Sequence, residues 1–223
     1  MTSESTVSAG GPARAPSGTG PRSQVPSGRV ARRRDRRKAE IVRTATEILA
    51  ASGYQGMSLE EVAERTDIAK ATLYHYFSSK DDLVTAALEL LTEQVLRLLA
   101  ARQEAAGDAP ATELLRALAD EQVLILTETA PEVAALFAAP REWPAALGEQ
   151  VKEMRRRHDA VFRRVVERGV ASGEFSCPDV GIAMQCLHGI LNQSSIWIQP
   201  RGDAAERAAL RGGVADCALR LFA

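Results

Sequence analysis

Two helix-length segments lie almost end to end between Ser58 and Phe77, with only three residues between them. No other feature narrows the possible folds of this chain as far. The first segment opens at Ser58-Leu-Glu-Glu61, a serine followed three residues on by a glutamate, the pattern of a capping box. It runs to about Arg65, with Val62 and Ala63 inward. Thr66-Asp67-Ile68 makes the turn, and Ala69 to Phe77 forms the second segment. Leu73 and Phe77 are four residues apart, so they share one helix face and can bury against the first segment. Lys70, Ala71, Thr72, Tyr74, His75 and Tyr76 are left for the outer side and the N-terminal end. Upstream, Ile41, Ala45, Ile48 and Leu49 recur at helical spacing until Gly53, which predicts a supporting helix over about 36–52. Two short helices joined by a tight turn behind a third form a helix-turn-helix.

The charge distribution fits a polyanion-binding end. Residues 1–40 carry nine basic and three acidic side chains, whereas the remainder carries 19 basic and 26 acidic. Arg29 to Lys38 alone holds seven cations in ten residues. A helix entering the major groove of a DNA duplex needs short donors near its start for base edges and longer donors for flanking phosphates, which the Lys70–Tyr76 set supplies. Ser58 with its free backbone amides, and Lys80 at the start of the next helix, offer phosphate sites. Residues 1–28 are rich in Ser, Gly, Pro and Thr, so little apolar surface offsets the entropy of ordering them. A disordered basic arm is therefore expected over 1–34, acting either as a solvated tail or as a contact to backbone or minor groove. In both cases it raises non-specific affinity by counterion release.

Everything beyond reads as helix. Ser78 or Ser79 caps a long helix over about 80–105 that carries Asp81 and Asp82 in its first turn. Further helices are expected over about 111–129, up to Gly173, over 179–198 and over 203–222, with a broken stretch from Pro131 to Pro144. Hydrophobic residues make up 45% of the chain but aromatic ones only 4%, which favours an all-α fold over a β-sandwich. The expected division is the arm (1–34), a three-helix head (35–82) and a larger helical body (83–223). Cys177, Cys186 and Cys217 are far apart and odd in number, which argues against a disulfide framework or zinc site and for a reducing cytosol. No apolar run is long enough to span a bilayer and no signal-like segment opens the chain, so a cytoplasmic protein without membrane contact is expected. Phosphate loops, nucleophile elbows and H-E-x-x-H motifs are missing, His75 lacks partners at ligand spacing, and His158 and His188 lack an evident nucleophile. Neither an enzyme nor a cofactor or metal is expected.

The block from Ser58 through Leu73-Tyr-His-Tyr-Phe77 to Ser79-Lys-Asp-Asp-Leu83 strongly resembles the TetR family of bacterial repressors, over about residues 38–85. The resemblance implies that Lys70 and Tyr74-His75-Tyr76 face a palindromic operator and that Lys80 clamps a phosphate. It also implies that the last two helices, with apolar stripes Met184, Leu187, Leu191, Trp197 and Leu210, Val214, Cys217, Leu221, form a four-helix dimer interface. One departure is Asp67-Ile68-Ala69, where the family commonly carries Gly-Val-Ser, so that Ala69 lacks the usual hydroxyl cap. A second, weaker resemblance, to members that respond to acyl-CoA thioesters, rests on Arg168-Gly-Val-Ala-Ser-Gly-Glu-Phe175, on Leu187-His-Gly-Ile-Leu-Asn192 and on Trp197-Ile-Gln-Pro200. An acyl chain wants an apolar tunnel and a CoA head wants cations. Phe137, Trp143, Met154, His158, Phe162, Met184 and His188 are the candidate lining, and Arg155-Arg-Arg157 the candidate cations. The same residues fit core packing better than ligand contact, with His158 a hydrogen-bonded core histidine and the arginine run a solvated face. The expectation is thus a homodimeric, ligand-released repressor on double-stranded DNA. A sequence-tolerant architectural DNA binder relying on the arginine stretch is the alternative.

Overall fold

The computed structural model describes residues 28–137, 143–198 and 203–223, and among these there is no strand. Helix α1 spans Gly28–Gly56, but Gly53 (φ 70°, ψ 179°) breaks it, so the continuous part ends where the sequence pattern stops. Ile41, Ala45, Ile48 and Leu49 of α1 are buried. Ser58 caps α2 (Leu59–Arg65) by accepting from the Glu61 amide at 3.1 Å, while the Glu61 carboxylate lies 3.9 Å from Arg65 Nε. The turn that follows places Asp67 at φ 51°, in the left-handed region. Glycine at this position avoids a Cβ clash, and aspartate is among the few residues that tolerate the conformation. Helix α3 covers Lys70–Tyr74, shorter than the Ala69–Phe77 expected. From His75 on the chain tightens, with Tyr76 N–H donating three residues back to Leu73 O, and Ala69 at the N-cap makes no side-chain cap bond.

Ser79 caps α4 (Lys80–Ala106), which passes from the head into the body, so the 82/83 boundary falls within its first turn. The body comprises α4, α5 (Ala111–Leu124) with a π turn (Ile125–Thr129), α6 (Pro131–Phe137), α7 (Ala145–Ser172), α8 (Val180–Trp197) and α9 (Ala204–Leu219), closed by a 3-10 turn (Arg220–Phe222). Helix α4 packs against α1, α5 and α7, whereas α5 sits between α7, α8 and α9, and α6 rests on α1. One continuous core runs from Ile41 in the head through Leu83, Leu99 and Leu118 to Phe162 and Ala215.

One sequence expectation meets a different structure. The basic stretch assigned to a disordered arm is helical from Gly28, because no glycine or proline interrupts Arg29–Ser52 and Arg, Lys and Ala are strong helix formers. Residues 1–27 of that arm lie outside the described residues. The Arg168–Phe175 segment is a structural clasp. Arg168 donates to Ala109 O at 2.8 Å, and Glu174 accepts from the Thr112 amide at 3.0 Å. Phe175 packs on Gly169 and on Phe222, whose carbonyl accepts from the Ser176 amide at 3.0 Å. The clasp thus ties the α7–α8 corner to the start of α5 and to the C-terminal turn.

Candidate nucleic-acid interface and effector cleft

In the head, α3 is held from behind by two side chains. Leu73 is 1% exposed and Phe77 2%, both against α1 and α2, which leaves the opposite side of α3 free. Lys70, Ala71, Tyr74 and His75 are exposed, and Thr72 and Tyr76 are half-buried. The Lys70 ammonium pairs with Glu60 of α2; this hydrogen bond raises Lys70 and lowers Glu60 relative to their ordinary pKa values. A phosphate or base edge approaching Lys70 must therefore displace a carboxylate. Ser58, half-buried, accepts at its cap, which leaves its hydroxyl proton to donate outward. Lys80 is half-buried with its ammonium 4.3 Å from the centre of the Tyr54 ring, and Tyr54 Oη donates to Asp81 at 2.5 Å. That bond, with burial, raises the Tyr54 phenol. Lys80 is positioned by α1 as well as by its own helix.

The sequence pattern missed a cleft of about 450 Å³ beside α3. Arg33, Arg34, Arg36 and Arg37 of α1 line one side, and Thr72 and Tyr76 the other. The signal was present in the uninterrupted helix formers from Arg29 onward.

In the body, the candidate pocket residues divide. Phe162 and Met184 have no exposure and Met154 has 6%, so all three are core side chains in this conformation. Trp143 packs half-buried on the core, and the Phe137 side chain lies outside the described residues. His158, Phe162 and His188 form a cluster with ring centres 5.3–5.7 Å apart. His158 Nε2 lies 2.9 Å from Gln122 Oε1, and His188 Nε2 lies 3.0 Å from Asp159 Oδ1. Asp159 also accepts from Arg163 Nε at 2.8 Å. Burial, then the neighbouring His188, pushes His158 down to about 3, so it is neutral. Burial also lowers His188, against the pull of Asp159. For Asp159 burial acts upward, but the Arg163 and His188 bonds together hold the carboxyl below its usual range. Gln122, Asp159 and Arg163 were not singled out from sequence, although Gln122 is the one polar residue on the buried stripe of α5.

This cluster floors a cleft of about 520 Å³ between α7 and α8, bordered by Arg155, Arg156 and Arg163 and by Gln185, Gly189 and Asn192. Arg157 of the expected cation run points elsewhere and pairs with Glu93 of α4. On the α4 side of His158, the space between Thr92, Val95, Leu96 and Met154 is only about 10 Å³. Among the described residues no three His, Cys, Asp or Glu side chains converge on a metal site, and no helix is long and apolar enough to cross a membrane.

The last two helices present an exposed apolar face that holds only part of the expected stripes, Trp197, Leu210 and Cys217. Met184, Leu187, Leu191 and Val214 are buried within the chain. The exposed set is Ile182 (64%), Ile196 (54%) and Trp197 (55%) on α8 with Leu210 (46%) on α9, joined by exposed Gly189, Gly213 and Cys217. At Gly213 an added Cβ would meet nothing within 4 Å, and α9 continues straight through it.

Comparison with known proteins agrees with this geometry. The HTH-type transcriptional activator FasR of Mycolicibacterium smegmatis is 36% identical over 56 residues, 25% of this chain but only 26% of that one. The fatty acid metabolism regulator protein of Bacillus subtilis is 22% identical over 162 residues, 71% of this chain and 82% of the relative. Among solved structures, FadR from Bacillus subtilis in complex with stearoyl-CoA superimposes with a TM-score of 0.68 at 20% identity, over 83% of this chain and 99% of that one. AibR in complex with isovaleryl coenzyme A and operator DNA gives 0.67 at 18%, over 83% and 97%. At these identities the two structures establish the fold. Residues 41–93 match the family described as bacterial regulatory proteins, tetR family, and residues 108–222, just over half the chain, match the tetracyclin repressor-like C-terminal domain. By these two matches the chain belongs to the TetR family of bacterial transcriptional regulators.

Proposed function

We propose that this protein is a cytoplasmic, homodimeric repressor that binds a palindromic DNA operator through α3 and is released by a small hydrophobic effector. The observation that carries the DNA contact is the division of this segment: Leu73 and Phe77 anchor it, Lys70, Ala71, Tyr74 and His75 stay exposed, and Thr72 and Tyr76 are half-buried at its edge. Ser58 and Lys80 add phosphate contacts at the edges. Residues 35–82 act as the reading head and 83–223 as the effector-binding and dimerising body. The exposed Ile182, Ile196, Trp197 and Leu210 support a dimer formed by α8 and α9, with bare backbone at Gly213 permitting close approach. A dimer sets two α3 helices about 34 Å apart, one DNA turn.

For the effector, the acyl-CoA thioesters held by the related FadR and AibR are the class we favour. Arg155, Arg156 and Arg163 would receive the phosphates in the α7–α8 cleft. The acyl chain would enter toward Met154, His158, Phe162 and Met184. These side chains are packed in the present conformation, so the chain must part α4 from α7. That requirement supplies the differential affinity between two states that effector release demands. A competition gel shift tests the DNA half, using the promoter of the protein's own gene against random duplex. Selective binding is expected, with Tyr74→Ala weakening it about 10-fold or more while helical content is kept. Equal competition would favour an architectural binder that uses the arginine stretch. A thermal-shift screen over acyl-CoAs, followed by operator release, tests the effector half. No shift with any thioester would remove that ligand class and leave the operator reading intact.

A further inference from the structure

The first turns of α1 form a rigid projection that stands beside the recognition helix. Thirteen residues precede Ile41, the first fully buried side chain of α1, and at 1.5 Å per residue they span about 20 Å. Seven of them are cationic: Arg29, Arg32, Arg33, Arg34, Arg36, Arg37 and Lys38. The projection is fixed at its base in two ways. It is continuous with the core-anchored part of α1, and the Arg37 guanidinium donates to Thr66 O at 3.2 Å and to Glu40 at 2.9 Å. Arg37 thereby ties the projection to the α2–α3 turn. Among the described residues, Arg37 is the one member of the seven with an ion pair to a carboxylate, and Asp35 is the one acid within the run, so the projection stays strongly cationic.

Orientation decides what this charge faces. The cleft lined by Arg33, Arg34, Arg36 and Arg37 has Thr72 of α3 and Tyr76 just beyond it as its opposite wall, so cations and recognition residues border one space. A membrane surface does not fit, because the only large apolar side chain on the projection is Val30, and an interfacial helix needs an apolar face. A DNA duplex does fit. With α3 in a major groove about 12 Å wide, an arm of about 20 Å reaches across the flanking phosphates, which carry one charge per about 1.7 Å of axis.

We propose that Gly28–Lys38 is a helical phosphate clamp, which grips the DNA backbone outside the half-site contacted by α3 and lengthens each half-site footprint by about 6 base pairs (about 20 Å at 3.4 Å per pair). The clamp rests on the operator reading above, but it adds a second contact element whose action depends on helical rigidity and not on charge alone.

Two variants of the full-length protein test it, on a long operator fragment and on one trimmed to the half-sites. Arg33→Ala/Arg34→Ala/Arg36→Ala keeps helix formers in place. Loss of about three phosphate contacts per protomer should lower the slope of log affinity against log salt by about 0.9 per contact, and should shorten the hydroxyl-radical footprint at both ends. Ala39→Pro retains every charge but ends the helix between the projection and the core. Ala39 is exposed and precedes the first buried side chain of α1, so the core should stay folded, with a modest Tm loss from the released Arg37 contacts and unchanged cooperativity. It should lose the outer protection and about tenfold affinity on the long fragment, yet match wild type on the trimmed one. Wild-type footprint and affinity in Ala39→Pro would overturn the clamp in favour of a flexible tail. An unchanged salt slope in the triple variant would remove the projection from DNA altogether. Selective binding with a short wild-type footprint defeats the clamp alone, whereas no selective binding by wild type defeats the operator reading with it.

Discussion

Gly169→Ala offers a demanding check on how the body is held together. An added methyl would lie 2.1 and 2.4 Å from two ring carbons of Phe175, far inside contact distance. Helix α7 cannot yield easily, since Val165 and Val166 on the same stretch are buried at 3% and 0% exposure. The ring must move instead. Phe175 is 6% exposed and packs on Phe222 with ring centres 5.6 Å apart, and its amide donates to Gly169 O at 3.0 Å. Overpacking of this kind costs about 1–3 kcal/mol. Loss of the aromatic pair adds about 0.5–1.5 kcal/mol. Against these stands the helix-propensity gain of alanine over glycine, up to about 1 kcal/mol. The net is a destabilisation of about 2 kcal/mol, or roughly 4–8 °C in Tm for a chain of this size. Thermal and urea unfolding at one fixed protein concentration would measure it, because the proposed dimerisation would make Tm concentration-dependent. Shrinking the ring in Gly169→Ala/Phe175→Leu should cost less than the sum of the single changes. A Gly169→Ala protein as stable as wild type would refute the placement of Phe175 over Gly169.

Three other outcomes follow from the same geometry. Asp67→Gly relieves the left-handed strain at φ 51° and should raise stability by up to about 1 kcal/mol in thermal melts; a loss would assign the aspartate side chain a compensating contact. His158 is held neutral with its pKa pushed down to about 3, below the roughly 6.5 of an unfolded histidine, so only the unfolded chain takes up this proton between those values. Stability should therefore fall as pH drops below about 6.5, by up to about 1.4 kcal/mol per pH unit from this group, and His158→Gln should flatten the urea midpoints between pH 7 and 5. Gly213→Glu meets nothing within 4 Å inside the chain, so it should leave the far-ultraviolet spectrum unchanged while shifting sedimentation toward monomer; an intact dimer would move the interface away from α9.

The head was legible because its signals are local. Ser58, Gly53, Leu73 and Phe77 each act within one or two turns of themselves, and spacing alone gives their roles. The end of α3 was not legible, since its tightening after Tyr74 reflects where Phe77 must reach the core and not helix propensity. In the body, apolar periodicity gave the helices, but α8 is apolar on two sides, and no pattern says which side faces α5 and which stays free. Met184 and Leu187 went inward while Ile182 and Trp197 stayed out. The clasp made by the Arg168–Phe175 segment was not legible because its partners, Ala109, Thr112 and Phe222, lie 47 to 62 positions away in sequence. Gln122 and Asp159 were missed for a similar reason: each acquires meaning only when α5, α7 and α8 converge.

Helix α4 carries a mechanical consequence. Its 27 residues form one rod of about 40 Å with no break between Lys80, seated on the Tyr54 ring, and the segment whose Glu93 meets Arg157. A rod of that length has leverage: a tilt of about 5° at the body end sweeps the other end through about 3.5 Å, on the scale of a hydrogen bond. In the dimer proposed above, a disturbance at the buried end, too small to disorder anything, can misalign two heads on one duplex without deforming either.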